Sequence, residues 1–253
     1  MHFSLAKAYA GNGSKIAVLG DSMTWIGGDS CENPTGWTHT LRQSRLFDDI
    51  DIFARSGATW TNTTSTIADT SFYSEVLHDN NVIYNQVLRL IEKYDEEGVS
   101  DPDCIMIFAG ANDAWFSDRR PGIFNCVDTV MTVTDPMIIS PDMVTSLCGS
   151  VKLVCDILRH RFPESSQILV TPLQMSKVSA DITLKVSDII DRAGRSRGCV
   201  VLRADQETAV RHDDEVNHYK YTYDGVHTNP QGAAHLGCYI LNNIKRLKIL
   251  KTE

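Results

Sequence analysis

The apolar positions of this chain follow two different periods. Short runs that are mostly apolar read as strands: Ile16-Ala17-Val18-Leu19, Ile50 to Arg55, Asp103 to Ala109, Ser166 to Thr171 and Cys199 to Leu202. The run from Cys104 to Ala109 has no polar position, as expected of a strand covered on both faces. Between the runs, apolar residues recur at helical spacing over Gly36 to about Phe47, Val82 to Glu97, Pro141 to Arg161 and Asp181 to Arg195. A last helix extends to about Leu247, with Asn229 and Pro230 as its N-cap and first turn. Strands alternating with helices in this order predict an α/β fold, three layers deep, around a five-stranded parallel sheet. No repeat or linker-like stretch interrupts it. The chain is therefore expected to form one domain over 1–253, with a core at about 15–248. Two insertions without clear period, about 58–81 and 113–140, and a polar loop from Ala204 to Tyr223 complete the pattern.

Composition narrows the function classes. A net charge of -8 argues against a nucleic-acid partner, because phosphate binding needs a basic face. No run reaches the apolar length of a membrane span, and Met1 to Lys7 lacks the long apolar stretch of a signal peptide. The 7 cysteines form no CxxC pair, which speaks against a zinc site and a complete disulfide framework. Cys104 and Cys199 fall in strand-like runs as small core residues, whereas Cys126 and Cys148 lie in irregular sequence and would bridge in an exported protein. The balance leans toward a reducing, cytoplasmic compartment. Oligomeric state is not legible. Asn62-Thr63-Thr64 matches a glycosylation sequon by pattern alone.

Chemistry gathers at the strand ends. The first strand stops at Gly20-Asp21-Ser22, the second at Ser56-Gly57 and the third at Gly110-Ala111-Asn112-Asp113. In a parallel sheet these turns share one edge, where open α/β sheets bind ligands. Asp224-Gly225-Val226-His227 returns to the same edge after the fifth strand. A serine hydroxyl needs a base to become a nucleophile, and an imidazole exchanges protons near neutral pH. A carboxylate on the far ring nitrogen fixes the tautomer. Read blandly, Ser22 caps a helix, Asn112 and Asp224 are turn residues, and Gly57 supplies only backbone freedom. Asp21 and Asp113 are read as turn-stabilising rather than as acids.

Taken together, the four blocks resemble the GDSL-type hydrolases, also called the SGNH family, over roughly residues 15 to 248. Met23 stands where the signature has Leu, and the block around Gly57 is the loosest match. The resemblance implies a flavodoxin-like SGNH hydrolase fold and a serine esterase that uses no metal or cofactor. It implies Ser22, Asp224 and His227 as the catalytic residues. Ser22, Gly57 and Asn112 would be the donors of an oxyanion hole. The expected substrate is a small-molecule or glycan carboxylic ester, with short acyl groups on a carbohydrate favoured. Lipase, lysophospholipase or thioesterase action is the alternative within the family. A non-catalytic carbohydrate-binding module on the same fold is the alternative of another class, although a binder has no need of Ser, His and Asp together.

Trp25, Trp60 and Trp115 each fall three residues after a block residue, as candidate walls for a sugar or acyl group, with core packing as the other reading. Gly194-Arg195-Ser196-Arg197-Gly198 matches a nucleophile-elbow pattern, but a helix precedes and a strand follows it, the reverse of that motif. His212, Asp213, Asp214, Glu215 and His218 read as a solvated acidic loop rather than a metal site.

Overall fold

A computed structural model describes residues 13–71, 80–120, 122–125 and 135–247. Its strands are β1 (Lys15–Gly20), β2 (Asp49–Ile52), β3 (Cys104–Phe108), β4 (Ser166–Val170) and β5 (Val200–Leu202). They form a five-stranded sheet in the order β2-β1-β3-β4-β5, with every pair parallel. The helices are α1 (Ser22–Trp25), α2 (Trp37–Ser44), α3 (Ile83–Glu97), α4 (Ala111–Trp115), α5 (Leu147–Arg161), α6 (Ala180–Ser196), α7 (Ala204–Glu207), α8 (His212–His218) and α9 (Pro230–Arg246). Helices α2 and α9 pack together on one face of the sheet; α3, α5 and α6 line up on the other. This is the α/β three-layer architecture expected. The strand order reverses between β1 and β3, so the crevice beyond their C-terminal ends is the natural ligand site.

The core follows from the apolar runs. Ile16, Ala17, Val18 and Leu19 of β1, and Cys104, Ile105, Met106 and Ile107 of β3, are fully buried. At the edge, β2 is half exposed, and its Asp51 carboxylate receives Lys93 Nζ at 2.6 Å and the Tyr94 hydroxyl at 2.7 Å from α3. Register sets the functional edge: Gly20 lies opposite Phe108, so β1 and β3 release their chains at one level. Helix α3 fastens that level, because the buried Gln86 amide accepts from Gly20 N–H (2.9 Å) and donates to Gly20 C=O (2.8 Å).

Three local expectations are corrected. The helix foreseen over Pro141 to Arg161 is split. Pro141–Met143 forms a 3-10 turn, and α5 begins only after Ser146, whose hydroxyl accepts from Gly149 N–H. Val144 is held outside the helix because its carbonyl accepts from Asn62 Nδ2 (3.0 Å) and Ser150 Oγ (3.1 Å). Cys148 consequently lies buried in the first turn of α5, not in irregular sequence, while its suggested partner Cys126 and the N-terminal segment Met1 to Lys7 lie outside the described residues. Finally, the supposed loop from Ala204 to Tyr223 contains α7 and α8.

The start of the first insertion is irregular but fixed. Thr59 bridges Val82 in parallel, and Trp60, Thr61 and Asn62 are buried. Buried Asn62 spends its amide on Val144, which removes it as a glycosylation acceptor.

Candidate active site

Four segments meet at the C-terminal edge of the sheet. Asp21 caps α1, its Oδ1 accepting from Met23 N–H at 3.0 Å. Ser22 is therefore the first helical residue, where a backbone N–H has no partner within the helix. The Asp21 carboxyl is fully buried, and Oδ2 finds no hydrogen-bond donor among the described residues. Burial lifts its pKa from 3.8 to about 7; the Met23 N–H and nearby His227 pull the other way, and Asp113 adds to the rise.

The loop after β5 supplies the base. His227 Nε2 lies 2.8 Å from Ser22 Oγ, and Nδ1 lies 2.7 Å from Asp224 Oδ2. This geometry suits the tautomer with its proton on Nδ1: that N–H donates to the carboxylate, and Nε2 accepts the serine hydroxyl. Asp224 is held in turn, because Oδ1 accepts from Val226 N–H (2.9 Å) and His227 N–H (2.7 Å). Burial raises the Asp224 pKa, but the His227 ring and these backbone donors outweigh it and keep the carboxyl below its ordinary range. Tyr223 N–H donates to His227 C=O at 3.0 Å, and Thr222 bridges Thr228, which closes the turn. The Tyr223 ring stacks on the imidazole with centroids 5.8 Å apart, a neighbour that no sequence motif indicated.

At the same edge of the sheet, the segments that follow β2 and β3 carry amide donors. Gly57 takes a left-handed φ of 77°, and its N–H makes no hydrogen bond among the described residues. Asn81 Nδ2 donates to the preceding carbonyl of Ser56 and anchors that turn. Asn112, in α4, is mostly buried and donates from Nδ2 to Ala58 C=O at 2.9 Å, leaving its second amide hydrogen for another acceptor. Asp113 fixes the relation between the two loops. Its buried carboxylate accepts from Trp60 N–H (2.9 Å), Thr61 N–H (2.9 Å) and Thr61 Oγ (2.8 Å). Arg120 adds a hydrogen bond to Thr61 Oγ (2.7 Å) from the far side.

The tryptophans separate. Trp60 is fully buried, with Nε1 donating to Ala109 C=O at 3.1 Å, so it is a core residue with no face for a substrate. Trp25 is half-buried beneath the Arg55 guanidinium, 4.2 Å from its ring centroid. Trp115 is 40% exposed and stacks on Phe116. Ser196 ends α6, bonded to Ala193 C=O at 2.7 Å. In the acidic stretch, Glu215 is not solvated: it is fully buried in α8.

The arrangement can take a proton from a hydroxyl and offer amide hydrogens to a developing oxyanion. Solved structures share the fold at low identity. One is a protein from Lactobacillus plantarum, 16% identical, matching 92% of this chain and 97% of that one with a TM-score of 0.61. Another is a lipase/acylhydrolase from Enterococcus faecalis, 17% identical, over 94% of this chain and 100% of that one, TM-score 0.54. A third is a member of the lipolytic protein G-D-S-L family from Veillonella parvula, 15% identical, over 92% and 99%, TM-score 0.52. No curated protein matches the chain in sequence. The family model for GDSL-like lipases and acylhydrolases matches residues 18–235. With the end of β1, Ser22, Gly57, Asn112 and the Asp-His turn inside that span, the chain belongs to the GDSL-like lipase/acylhydrolase family, a family of ester hydrolases.

Proposed function

We propose that this protein hydrolyses carboxylic esters through an acyl-enzyme on Ser22. The observation that carries the reading is the unbroken line from Asp224 through His227 to Ser22, with both contacts at hydrogen-bond distance. Ser22 Oγ attacks the ester carbonyl as its proton passes to His227 Nε2, and Asp224 stabilises the resulting imidazolium. Negative charge on the carbonyl oxygen falls to the Ser22 and Gly57 N–H groups and the free Asn112 amide hydrogen. The tetrahedral intermediate collapses, the C–O bond breaks, and the alcohol leaves with the proton from His227. Water, deprotonated by the same imidazole, then attacks the acyl carbon, and the bond to Ser22 Oγ breaks as that oxygen takes the proton from His227 and the acid leaves.

Short acyl groups on a carbohydrate are the substrate class we favour, supported by the exposed ring of Trp115. A second reading, a longer acyl chain, is supported by Ile138 and Met143, 74% and 79% exposed in the segment that anchors to Asn62 through Val144. Chain-length and sugar-acetate panels separate the two. The hydrolytic reading is tested with p-nitrophenyl acetate and a fluorophosphonate probe. Wild type should turn over and label at Ser22, and Ser22→Ala should lose on the order of 10⁵-fold in kcat and all labelling. Full activity in Ser22→Ala would overturn the mechanism, and an unlabelled, inactive wild type would favour a binding module.

A further inference from the structure

We propose that Glu215, acting through Thr222, is a positioning residue that holds the Asp224–His227 turn within reach of Ser22. This rests on the hydrolytic reading above.

Glu215 lies in α8 with its carboxylate fully buried, and among the described residues no cation pairs with it; Lys220 pairs instead with Asp214. A buried carboxylate is tolerated only when donors fill its lone pairs. Here the donors come from two consecutive residues of the turn. Tyr221 N–H donates to Oε1 at 2.9 Å, Thr222 N–H donates to Oε2 at 3.1 Å, and the Thr222 hydroxyl also donates to Oε2. The hydroxyl proton of Thr222 goes to Glu215 because the oxygen's other partner, Gly225 N–H, is itself a donor. The Thr222 oxygen, its one proton committed, accepts from Gly225 N–H at 3.1 Å. The chain of bonds thus runs from α8 to the peptide that links Asp224 to Gly225.

Gly225 is gripped from the other side as well. Its C=O accepts from Ser176 N–H at 2.8 Å, and a Cβ at this position would stand 1.8 Å from Ser176 Oγ. At a φ of 87°, residue 225 is a glycine with a permissive backbone, so the turn depends on its anchors and not on backbone stiffness to stay in place. Two anchors therefore fix the middle of the turn, while Asp224 and His227 flank it. The Thr222 hydroxyl both donates to Glu215 and accepts from the turn, and so links the two directly. Glutamine at 215 would set an NH2 group against one of the donating N–H groups, so the three-donor pattern calls for a carboxylate.

The test uses Thr222→Val, which keeps the shape and removes the hydroxyl, Thr222→Ser, which restores it, and Glu215→Gln. Thermal unfolding checks folding of each variant. Hydrolysis of p-nitrophenyl acetate gives kcat and KM, and proton NMR follows the far-downfield His227 Nδ1–H signal. Thr222→Val and Glu215→Gln should lower kcat by about 10- to 100-fold with KM within about twofold, and should broaden the downfield signal. Thr222→Ser should recover most of both. If Thr222→Val keeps wild-type kcat and signal, or Thr222→Ser is as impaired as Thr222→Val, the positioning role is overturned. Should Thr222→Val fail to fold, Glu215→Gln alone decides by the same readings. A wild type that does not hydrolyse esters removes the hydrolytic reading, and the signal then decides positioning by itself.

Discussion

Asn112 Nδ2 donates to the carbonyl of Ala58, one residue beyond Gly57. Two of the proposed oxyanion donors are thereby tied together before any substrate arrives. One amide hydrogen is spent on alignment and the other remains for catalysis. Asn112→Ala should lower kcat by about 10²- to 10³-fold, a loss of roughly 3–4 kcal/mol in transition-state stabilisation. Steady-state kinetics on a short ester check this; a loss confined to KM would take Asn112 out of the oxyanion hole.

Asp224→Asn should fold normally and lose activity. The carboxylate is 40% exposed, so the amide is accommodated. An amide accepts poorly from Nδ1–H while also meeting the backbone donors, and it favours the wrong tautomer. A fall in kcat of about 10⁴-fold is expected, with the unfolding temperature nearly unchanged.

Asp21 should impose a pH dependence on stability. Its pKa in the folded protein is about 7, against an ordinary 3.8. Between those values the native chain retains a proton that the unfolded chain has released, so this group's contribution to stability falls as pH rises through that window. Asp21→Asn keeps an N-capping side chain and carries no titrating proton. Its unfolding temperature relative to wild type should therefore climb from pH 4 to pH 8, by thermal denaturation at fixed ionic strength. A difference that stays flat would mean the carboxyl is not held neutral.

Asp113→Asn should damage both stability and rate. One oxygen that now accepts from backbone N–H becomes an NH2 group, leaving buried donors opposed. A cost of about 1–3 kcal/mol is expected by urea unfolding, together with a lower kcat as the donor loops shift.

Trp60 and Trp115 should part ways. Trp60→Ala opens a cavity in the core and should cost about 3–5 kcal/mol in stability. Trp115→Ala, on the surface, should leave stability within about 0.5 kcal/mol and raise KM for sugar acetates. An unchanged KM across the ester panel would count against the carbohydrate reading.

Much of this was legible in the chain itself. β1, β3 and β4 read clearly because both faces are covered, so almost every position is apolar. Ser22 and His227 were legible because each follows a strand or precedes a capped helix in a short, recognisable turn. What the sequence hides are residues defined by distant partners. Glu215 sits among Asp213, Asp214 and two histidines and looks like solvated surface; only Thr222 and Tyr221 folding back over it make it interior. Gln86 is one polar position in an amphipathic helix, and nothing local tells that its amide will meet the end of β1. Trp60 follows the Gly57 block as Trp115 follows Asn112, yet one points into the core and the other outward. The break at Val144 is set by Asn62, 82 residues away.

The three hydrogen bonds on Asp113 rivet the β2 and β3 loops together below the crevice floor. The next residue along, Asn62, extends the clasp to Val144 ahead of α5. A disturbance in any one of these three segments is therefore passed to the other two, so changes around Val144 carry a catalytic penalty although they touch no reacting group.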